Sequence, residues 1–191
     1  MNERRPTPRY PVILPALCQA SDGFEFHAVT VDISAAGIKL RSVILPHVDH
    51  KLTCSIRNVG QFQTMVIRAS ACDFAVRVTS QNPTPGSIAR RLIELSQQQA
   101  QIPNTVRISR RIVPNRTTVE VSLGNGVSVV AQIINLSASG VALLIDTPLA
   151  LGQPILVGRH KATVRRQIEG GVGVAFLTPL AQDAVDERTE L

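Results

Sequence analysis

The chain has few aromatic residues, few cysteines and no tryptophan. Aromatic residues fill only 3% of its 191 positions, so its cores must be built mainly from Val, Ile and Leu. The scarcity of rings also argues against a protein that stacks the bases of single-stranded nucleic acid. No apolar run approaches the roughly 18 residues of a membrane-spanning helix, and the first residues lack the apolar segment of a signal peptide. We therefore expect a cytoplasmic protein without membrane insertion.

Metal ligands and catalytic groups are equally scarce. The three cysteines, Cys18, Cys54 and Cys72, are odd in number and form no C-x-x-C pair. The histidines stand at no ligand spacing from them. These residues predict reduced, buried thiols and no metal site. The sequence also contains no phosphate-binding P-loop and no Cys/His pair, so we predict neither a cofactor nor an enzymatic activity.

The net charge of +6 is spread evenly along the chain. Residues 1–86 hold 9 Lys and Arg against 6 Asp and Glu, and residues 87–191 hold 11 against 8. Both parts therefore carry +3, and neither is a basic tail. This charge permits non-specific binding of nucleic acid, which stays an alternative, but the low aromatic content argues against it.

One short pattern occurs twice in the chain. Residues 32–37 read DISAAG and residues 135–140 read NLSASG, both of the form (D/N)-x-S-x-x-G. An arginine pair with four-residue spacing precedes each copy, namely Arg5 and Arg9, then Arg107 and Arg111. Between the pair and the motif lie 22 residues in the first copy and 23 in the second. Two ordered signals at matched separation indicate an internal repeat and two domains of about 90 residues each.

Apolar periodicity predicts short strands and one helix. We place the strands at residues 12–20, 24–31, 38–42, 52–58, 63–71, 74–78, 117–123, 127–134, 141–145, 155–157, 161–167 and 172–177. The helix is predicted at 87–99 with Ser87 as its N-cap, and Asn125-Gly126 predicts a hairpin turn. The tail at 181–191 is predicted to be a short helix or a frayed end. The first domain then spans 1–100, and the second spans 101–191 and begins with the linker that holds its arginines.

The residue types of the repeat suit an anionic guanine ligand. Guanidinium groups bind phosphate bidentately, pair with guanine and stack on ring faces. A nearby carboxylate or amide can accept from the guanine N1 and N2 donors, while Ser bonds the local backbone. The glycine supplies either a positive φ or a close approach that a side chain would prevent. Either element alone has a plain explanation, since the turn is an ordinary hairpin and the arginines suit a solvated arm.

Together, these motifs make both halves resemble PilZ domains, the bacterial receptors for cyclic di-GMP. The resemblance rests on RRPTPR with DISAAG, on RISRR with NLSASG, and on VRRQIEGGVGVAF near the end, which matches a third family feature. The first half departs from that feature, because IRASACDFAVRV lacks its glycines. The resemblance implies a mainly β fold with two six-stranded PilZ-type barrels in tandem, joined by a helix and a linker.

The resemblance also implies the ligand residues. In the first domain these are Arg4, Arg5, Arg9, Asp32, Ser34 and Gly37. In the second they are Arg107, Arg110, Arg111, Asn135, Ser137 and Gly140. The arginines would hold guanine and phosphate, the Asp or Asn and the Ser would contact the base, and the Gly would allow close approach. A solvated role for Arg110 stays open. Arg4 adds a third guanidinium that would favour two stacked ligand molecules, where the second domain has Val106.

The function implied is a cytoplasmic cyclic di-GMP receptor that passes its signal, by rearrangement of its domains, to an unidentified protein partner. The alternative is a degenerate PilZ scaffold that acts through protein contacts without a ligand. Nucleic acid is not expected as a partner.

Overall fold

The chain folds into two compact units, Met1–Ile102 and Pro103–Leu191, both built mainly from antiparallel strands. The computed structural model describes residues 8–101, 110–124 and 126–191. Within these ranges no helix is both long and apolar enough to cross a membrane. The predicted roles of Arg4, Arg5 and Arg107, and the predicted turn at Asn125, fall outside the described residues.

The first unit is a closed six-stranded barrel with one added strand and one helix. Its elements are β1 Tyr10–Pro11, β2 Pro15–Ala20, β3 Glu25–Ser34, β4 Gly37–Arg41, β5 Lys51–Ile56, β6 Gly60–Ala69, β7 Asp73–Val78 and α1 Pro85–Gln101. The barrel runs in the order β3-β2-β5-β6-β7-β4 and closes through the β3–β4 pair. The short strand β1 lies outside this ring and pairs with β3.

Alternation along the strands builds an aliphatic core. In β5, Leu52, Cys54 and Ile56 are buried, while the residues between them face outwards. The apolar face of α1 packs against the same core through residues that recur every three or four positions, namely Ile88, Leu92 and Leu95. The predicted periodicity of this helix is therefore confirmed, and the helix becomes part of the first unit's core.

The start of α1 differs from its prediction. The helix begins at Pro85, and the Thr84 hydroxyl accepts a hydrogen bond from the Ser87 amide at 3.3 Å. Thr84 is therefore the residue that caps the helix, and Ser87 lies inside the first turn. The physical reason is Pro85, because a proline has no amide hydrogen to satisfy and has a suitable φ for the first helical position.

The second unit is a closed barrel of six strands. These are β8 Thr118–Ser122, β9 Ser128–Ser137, β10 Gly140–Leu144, β11 Pro154–Val157, β12 His160–Ile168 and β13 Gly171–Phe176. They run in the order β10-β13-β12-β11-β8-β9. Two six-stranded barrels with a helix between them in sequence confirm the fold class.

The final residues of the chain pack on the second barrel and are not frayed. A short 3₁₀ turn spans Gln182–Ala184, and Val185 and Leu191 then pack against the core. The Asn115 amide donates to the Glu187 carbonyl, which fixes the intervening backbone. Of the two predicted alternatives for this tail, the short helix is present as a 3₁₀ turn and the frayed end is wrong, because apolar side chains anchor the segment.

The cysteines are reduced, and two of the three are buried. Cys18 on β2 lies directly opposite Cys54 on β5, and their sulfur atoms are 3.7 Å apart. The hydrogen bond with Cys54 and burial raise the pKa of the Cys18 thiol. Cys72 is only partly buried, so the predicted burial holds for the pair and not for this third residue.

A buried ion cluster joins β4 to β7 in the first unit. Arg41 is 2% exposed, and its Nε donates to Asp73 Oδ1 at 2.6 Å. The Lys39 ammonium lies 2.7 Å from the other carboxylate oxygen. Burial acts to raise the pKa of Asp73, but the hydrogen bonds and positive charges of Arg41 and Lys39 outweigh it and lower that pKa. The carboxylate is therefore charged at neutral pH.

We predict that Asp73→Ala lowers the free energy of unfolding of the first unit by about 3–5 kcal/mol, because the buried Arg41 loses its carboxylate partner. The stabilisation is complete above the unfolded-state pKa near 3.9 and is lost as the pH falls through the lower folded-state pKa. Urea unfolding followed by circular dichroism should show the difference from wild type shrinking below about pH 4. Lys39→Ala, which leaves the Arg41–Asp73 pair intact, should cost less. Equal losses would contradict the prediction.

Candidate ligand-binding site

Each (D/N)-x-S-x-x-G segment spans the end of one strand, a two-residue turn and the start of the next strand. In the first unit, Asp32 and Ser34 belong to β3, and Gly37 begins β4 opposite Ser34. The Ser34 hydroxyl accepts from the Ala36 amide at 3.2 Å and thereby closes the turn. The predicted hairpin at this motif is therefore confirmed, and its two strands extend further than predicted, because the strand pairing includes the Asp, the Ser and the Gly.

The motif glycines are required by close packing. A Cβ on Gly37 would collide with the backbone carbonyl oxygen of Val76, and one on Gly140 would collide with that of Val174. Neither glycine has a positive φ. The sequence allowed either a positive φ or a close approach at these glycines, and the structure shows the close approach. The group that approaches each glycine is the backbone of the adjacent barrel strand.

The first arginine arm reaches the motif through β1. Tyr10 pairs with Ile33 and Pro11 with Asp32, so Arg9 emerges beside the motif carboxylate. Its Nη1 lies 3.2 Å from Asp32 Oδ1, and both side chains are partly exposed, at 38% and 24%. The structure thus brings together two predicted ligand residues that are 23 positions apart. Because both keep access to solvent, a ligand can reach either of them.

Two side chains of helix α1 hold the arm in place by hydrogen bonds to the backbone of the arm. The Ser96 hydroxyl donates to the Pro11 carbonyl at 2.7 Å. The Gln99 side chain bonds both backbone groups of Ile13, donating to the carbonyl at 2.9 Å and accepting from the amide at 3.1 Å. Sequence reasoning missed this contact, and its only signal was a pair of polar residues spaced three apart beside the apolar face of the helix.

The second unit repeats this arrangement. Ile112 and Leu136 form an isolated bridge with two backbone hydrogen bonds of 2.9 and 2.8 Å, in the place of the Tyr10–Ile33 pair. The preceding residue, Arg111, lines a cavity of about 180 Å³ together with Asn135, Ser137 and Gly140. The Ser137 hydroxyl donates to the Gly140 carbonyl at 3.1 Å. Four of the six residues predicted for this domain therefore share one cavity.

Arg110 is the exception among the described members of the second set. It is exposed and does not line the cavity. Two arginines that were not predicted as ligand residues, Arg165 and Arg166 of β12, line it instead. Their signal in the sequence was the doublet within VRRQIEGGVGVAF. The described residues that line the cavity include three arginines and no acid, so the cavity favours an anion.

The described ranges contain no group of three or more His, Cys, Asp or Glu that could hold a metal ion. The site is instead made of arginines, one carboxylate or amide, and a serine-closed hairpin. Arginine side chains and exposed backbone of this kind bind phosphate and planar bases without a metal.

Comparison with known proteins identifies the repeat. The family model for the PilZ domain matches residues 3–102 and again residues 104–190. The chain belongs to the PilZ-domain family. Two matches in tandem confirm the resemblance of both halves, and each PilZ domain here contains one barrel and one arginine arm. A search of curated protein sequences finds no match.

Several solved structures are similar to this PilZ protein. PlzA of Borreliella burgdorferi, in complex with c-di-GMP, is 13% identical over 88% of this chain and 86% of its own, with a TM-score of 0.31. The PilZ domain of Escherichia coli YcgR with c-di-GMP is 13% identical over 52% of this chain and 95% of its own, with a TM-score of 0.42. The inhibitor of motility MotI/DgrA of Bacillus subtilis is 14% identical over 90% and 91%, with a TM-score of 0.32.

We predict that Gly37→Ala destabilises the first PilZ domain by about 1–3 kcal/mol, because the new methyl group must displace the β7 backbone. Gly86→Ala is the matched control, since a Cβ there meets nothing within 4 Å and lies in a helix. That control should be neutral or stabilising by up to about 1 kcal/mol. Urea unfolding would measure both. Equal stability of the two variants would rule out the packing role of Gly37.

Proposed function

We propose that this protein is a receptor for cyclic di-GMP in which each PilZ domain, at residues 1–100 and 101–191, binds the ligand with its arginine arm and its hairpin. The observation that carries the proposal is the contact between Arg9 and Asp32, since it joins the arm and the hairpin at one accessible place. The family match over both domains and the arginine-lined cavity of the second domain support it.

In the first site, the arm arginines Arg4, Arg5 and Arg9 would hold the phosphates and stack on guanine. Asp32 keeps carboxylate lone pairs beyond those used by Arg9, so it can also accept from the guanine N1 and N2 donors. Gly37 would act indirectly, because its close packing on β7 holds the hairpin in the shape that the base meets.

In the second site, Arg107 and Arg111 would take the same roles, with Arg110 at its edge. Asn135 is neutral and offers a carbonyl acceptor and an amide donor in place of a carboxylate. The described lining of this cavity includes Arg111, Arg165 and Arg166, and their positive charges favour a phosphate. Ser137 and Gly140 would shape the hairpin as their counterparts do in the first domain.

The proposed output is a change in the relation of the two domains that a protein partner recognises, without catalysis. Helix α1 supports this relay, because Ser96 and Gln99 bond the first arm and the helix leads in sequence to the second arginine pair. A ligand held by Arg111 and Asn135 constrains the chain that follows α1. The alternative, a scaffold that needs no ligand, makes the same contacts with its partner in the absence of cyclic di-GMP.

We predict that Arg9→Ala weakens binding of cyclic di-GMP at the first site about tenfold or more, because a charge-assisted contact worth about 1.5–3 kcal/mol is lost. Isothermal titration of the full chain would measure it, with the second site silenced by Arg111→Ala and Asn135→Ala. Arg90→Ala is the matched control, as it removes one exposed arginine of the same domain outside the site. Equal affinity of the Arg9 and Arg90 variants would refute the site. A wild-type chain that binds no ligand would favour the scaffold.

We also predict that saturation with cyclic di-GMP changes the small-angle scattering profile of the full chain. The physical reason is that the arm arginines of the second site, Arg107 and Arg111, belong to the segment that lies between the two barrels in sequence. The variant Arg111→Ala/Asn135→Ala serves as the control and should lose this part of the response. An unchanged wild-type scattering profile at saturation would argue against the interdomain relay. It would leave the binding of cyclic di-GMP to be decided by the titration above.

A further inference from the structure

The cavity of the second PilZ domain extends across four strands of the barrel. Asn135 of β9 lies opposite Ala142 of β10, Ala142 opposite Gly173 of β13, and Gly173 opposite Arg166 of β12. Residues directly opposite one another share a face of the sheet. Three strand spacings of about 4.8 Å separate the ends of this row, so about 14 Å lies between the backbones of Asn135 and Arg166.

The Arg166 side chain lies over the third member of this row. A Cβ on Gly173 would come within 2.5 Å of Arg166 Nε and 2.8 Å of its Cγ. The Arg166 guanidinium therefore occupies space that is free because Gly173 has no Cβ. A side chain at position 173 would clash with it. Both Arg166 and Gly173 line the cavity, together with Asn135.

A β-bulge brings a second arginine to the same place. Val164 pairs with Val174, and the register then shifts so that Arg166 pairs with Gly173. Arg165 is the extra residue of this bulge, which allows two consecutive side chains to face outwards. Arg165 also lines the cavity, so both guanidinium groups stand at its β12 side.

The first PilZ domain has the same backbone but different side chains in the equivalent row. Its members are Asp32, Lys39, Ala75 and Arg68, with Ile67 as the bulge residue. Lys39 stands where the second domain has Ala142, and it is bound to Asp73. The middle of that row in the first domain thus contains a lysine. Its bulge presents one guanidinium, that of Arg68, where the second domain presents two.

We propose that Arg165 and Arg166 form an additional phosphate-binding subsite that belongs to the second PilZ domain alone. The proposal rests on the function proposed above and assigns these arginines to the part of the ligand farthest from Asn135. Ala142 and Gly173 leave the floor between the two ends without bulky side chains. A cyclic dinucleotide has two phosphodiesters, so one can meet the arm arginine Arg111 while the other meets the bulge arginines.

Titration with cyclic di-GMP tests this subsite in the full chain, with the first site silenced by Arg9→Ala and Asp32→Ala. Arg165→Ala/Arg166→Ala should weaken binding at the second site about tenfold or more. The matched control is Arg159→Ala/Arg188→Ala, which removes the same charge from exposed positions of that domain outside this cavity. If both double variants bind with the same affinity, the subsite is refuted.

Gly173→Ala provides an independent variant. Ala75 holds the equivalent place in the first domain, so the barrel tolerates alanine in this register. The added methyl group must displace the Arg166 guanidinium, and we expect weaker binding with an unchanged unfolding midpoint. Unchanged affinity would count against Arg166. Loss of binding in Arg111→Ala/Asn135→Ala with no loss in the bulge variants would refute the subsite and retain the receptor. No binding by the wild-type chain would refute both.

Discussion

The candidate sites depend on the pairing of a short extended arm with the motif strand. In each domain one residue of the arm, Tyr10 or Ile112, lies opposite the residue that follows the motif Asp or Asn. More than twenty residues separate arm and motif in sequence, and holding them together costs loop-closure entropy. The pairing and packing of the barrel strands offset this cost, because the residues between arm and motif form the first strands of the barrel. The arginine is then positioned by backbone hydrogen bonds and does not depend on its own long, flexible side chain to find the hairpin.

The same barrel supports two different surfaces around its motif. In the first domain a lysine stands beside Asp32, and a buried Arg41–Asp73 pair joins the strands. In the second domain, Ala142, Leu144 and Gly171 take the places of Lys39, Arg41 and Asp73. Two arginines stand together at the bulge of β12. Because Lys39 and the side chains at the bulge do not belong to the aliphatic cores, these positions can differ while the backbone stays the same. The two copies of the fold therefore need not handle a ligand in the same way.

The sequence sufficed for the architecture, because the repeat, the strand periodicity and the motif glycines each carry a local signal. It predicted the apolar face of α1 through Ile88, Leu92 and Leu95, all of which are buried. The row from Asn135 to Arg166 could not be predicted, since it depends on the register of four strands and on one bulge. The cap at Thr84 was missed because Ser87 is an equally good capping residue on propensity alone. Contacts between distant segments, such as that of Gln99 with Ile13, produce no repeating pattern in the sequence from which they could be predicted.

The attachment of the arm to α1 has a consequence for how such a receptor can change over generations. Ser96 bonds the Pro11 carbonyl, and Gln99 bonds the carbonyl and the amide of Ile13, so none of these bonds involves an arm side chain. Main-chain carbonyls are common to all twenty amino acids. Substitutions near Arg9 can therefore alter what the arm recognises while its mechanical link to the helix persists. In the proposed receptor, recognition would depend on side chains of the arm and transmission on its backbone, so selection could act on one without disrupting the other.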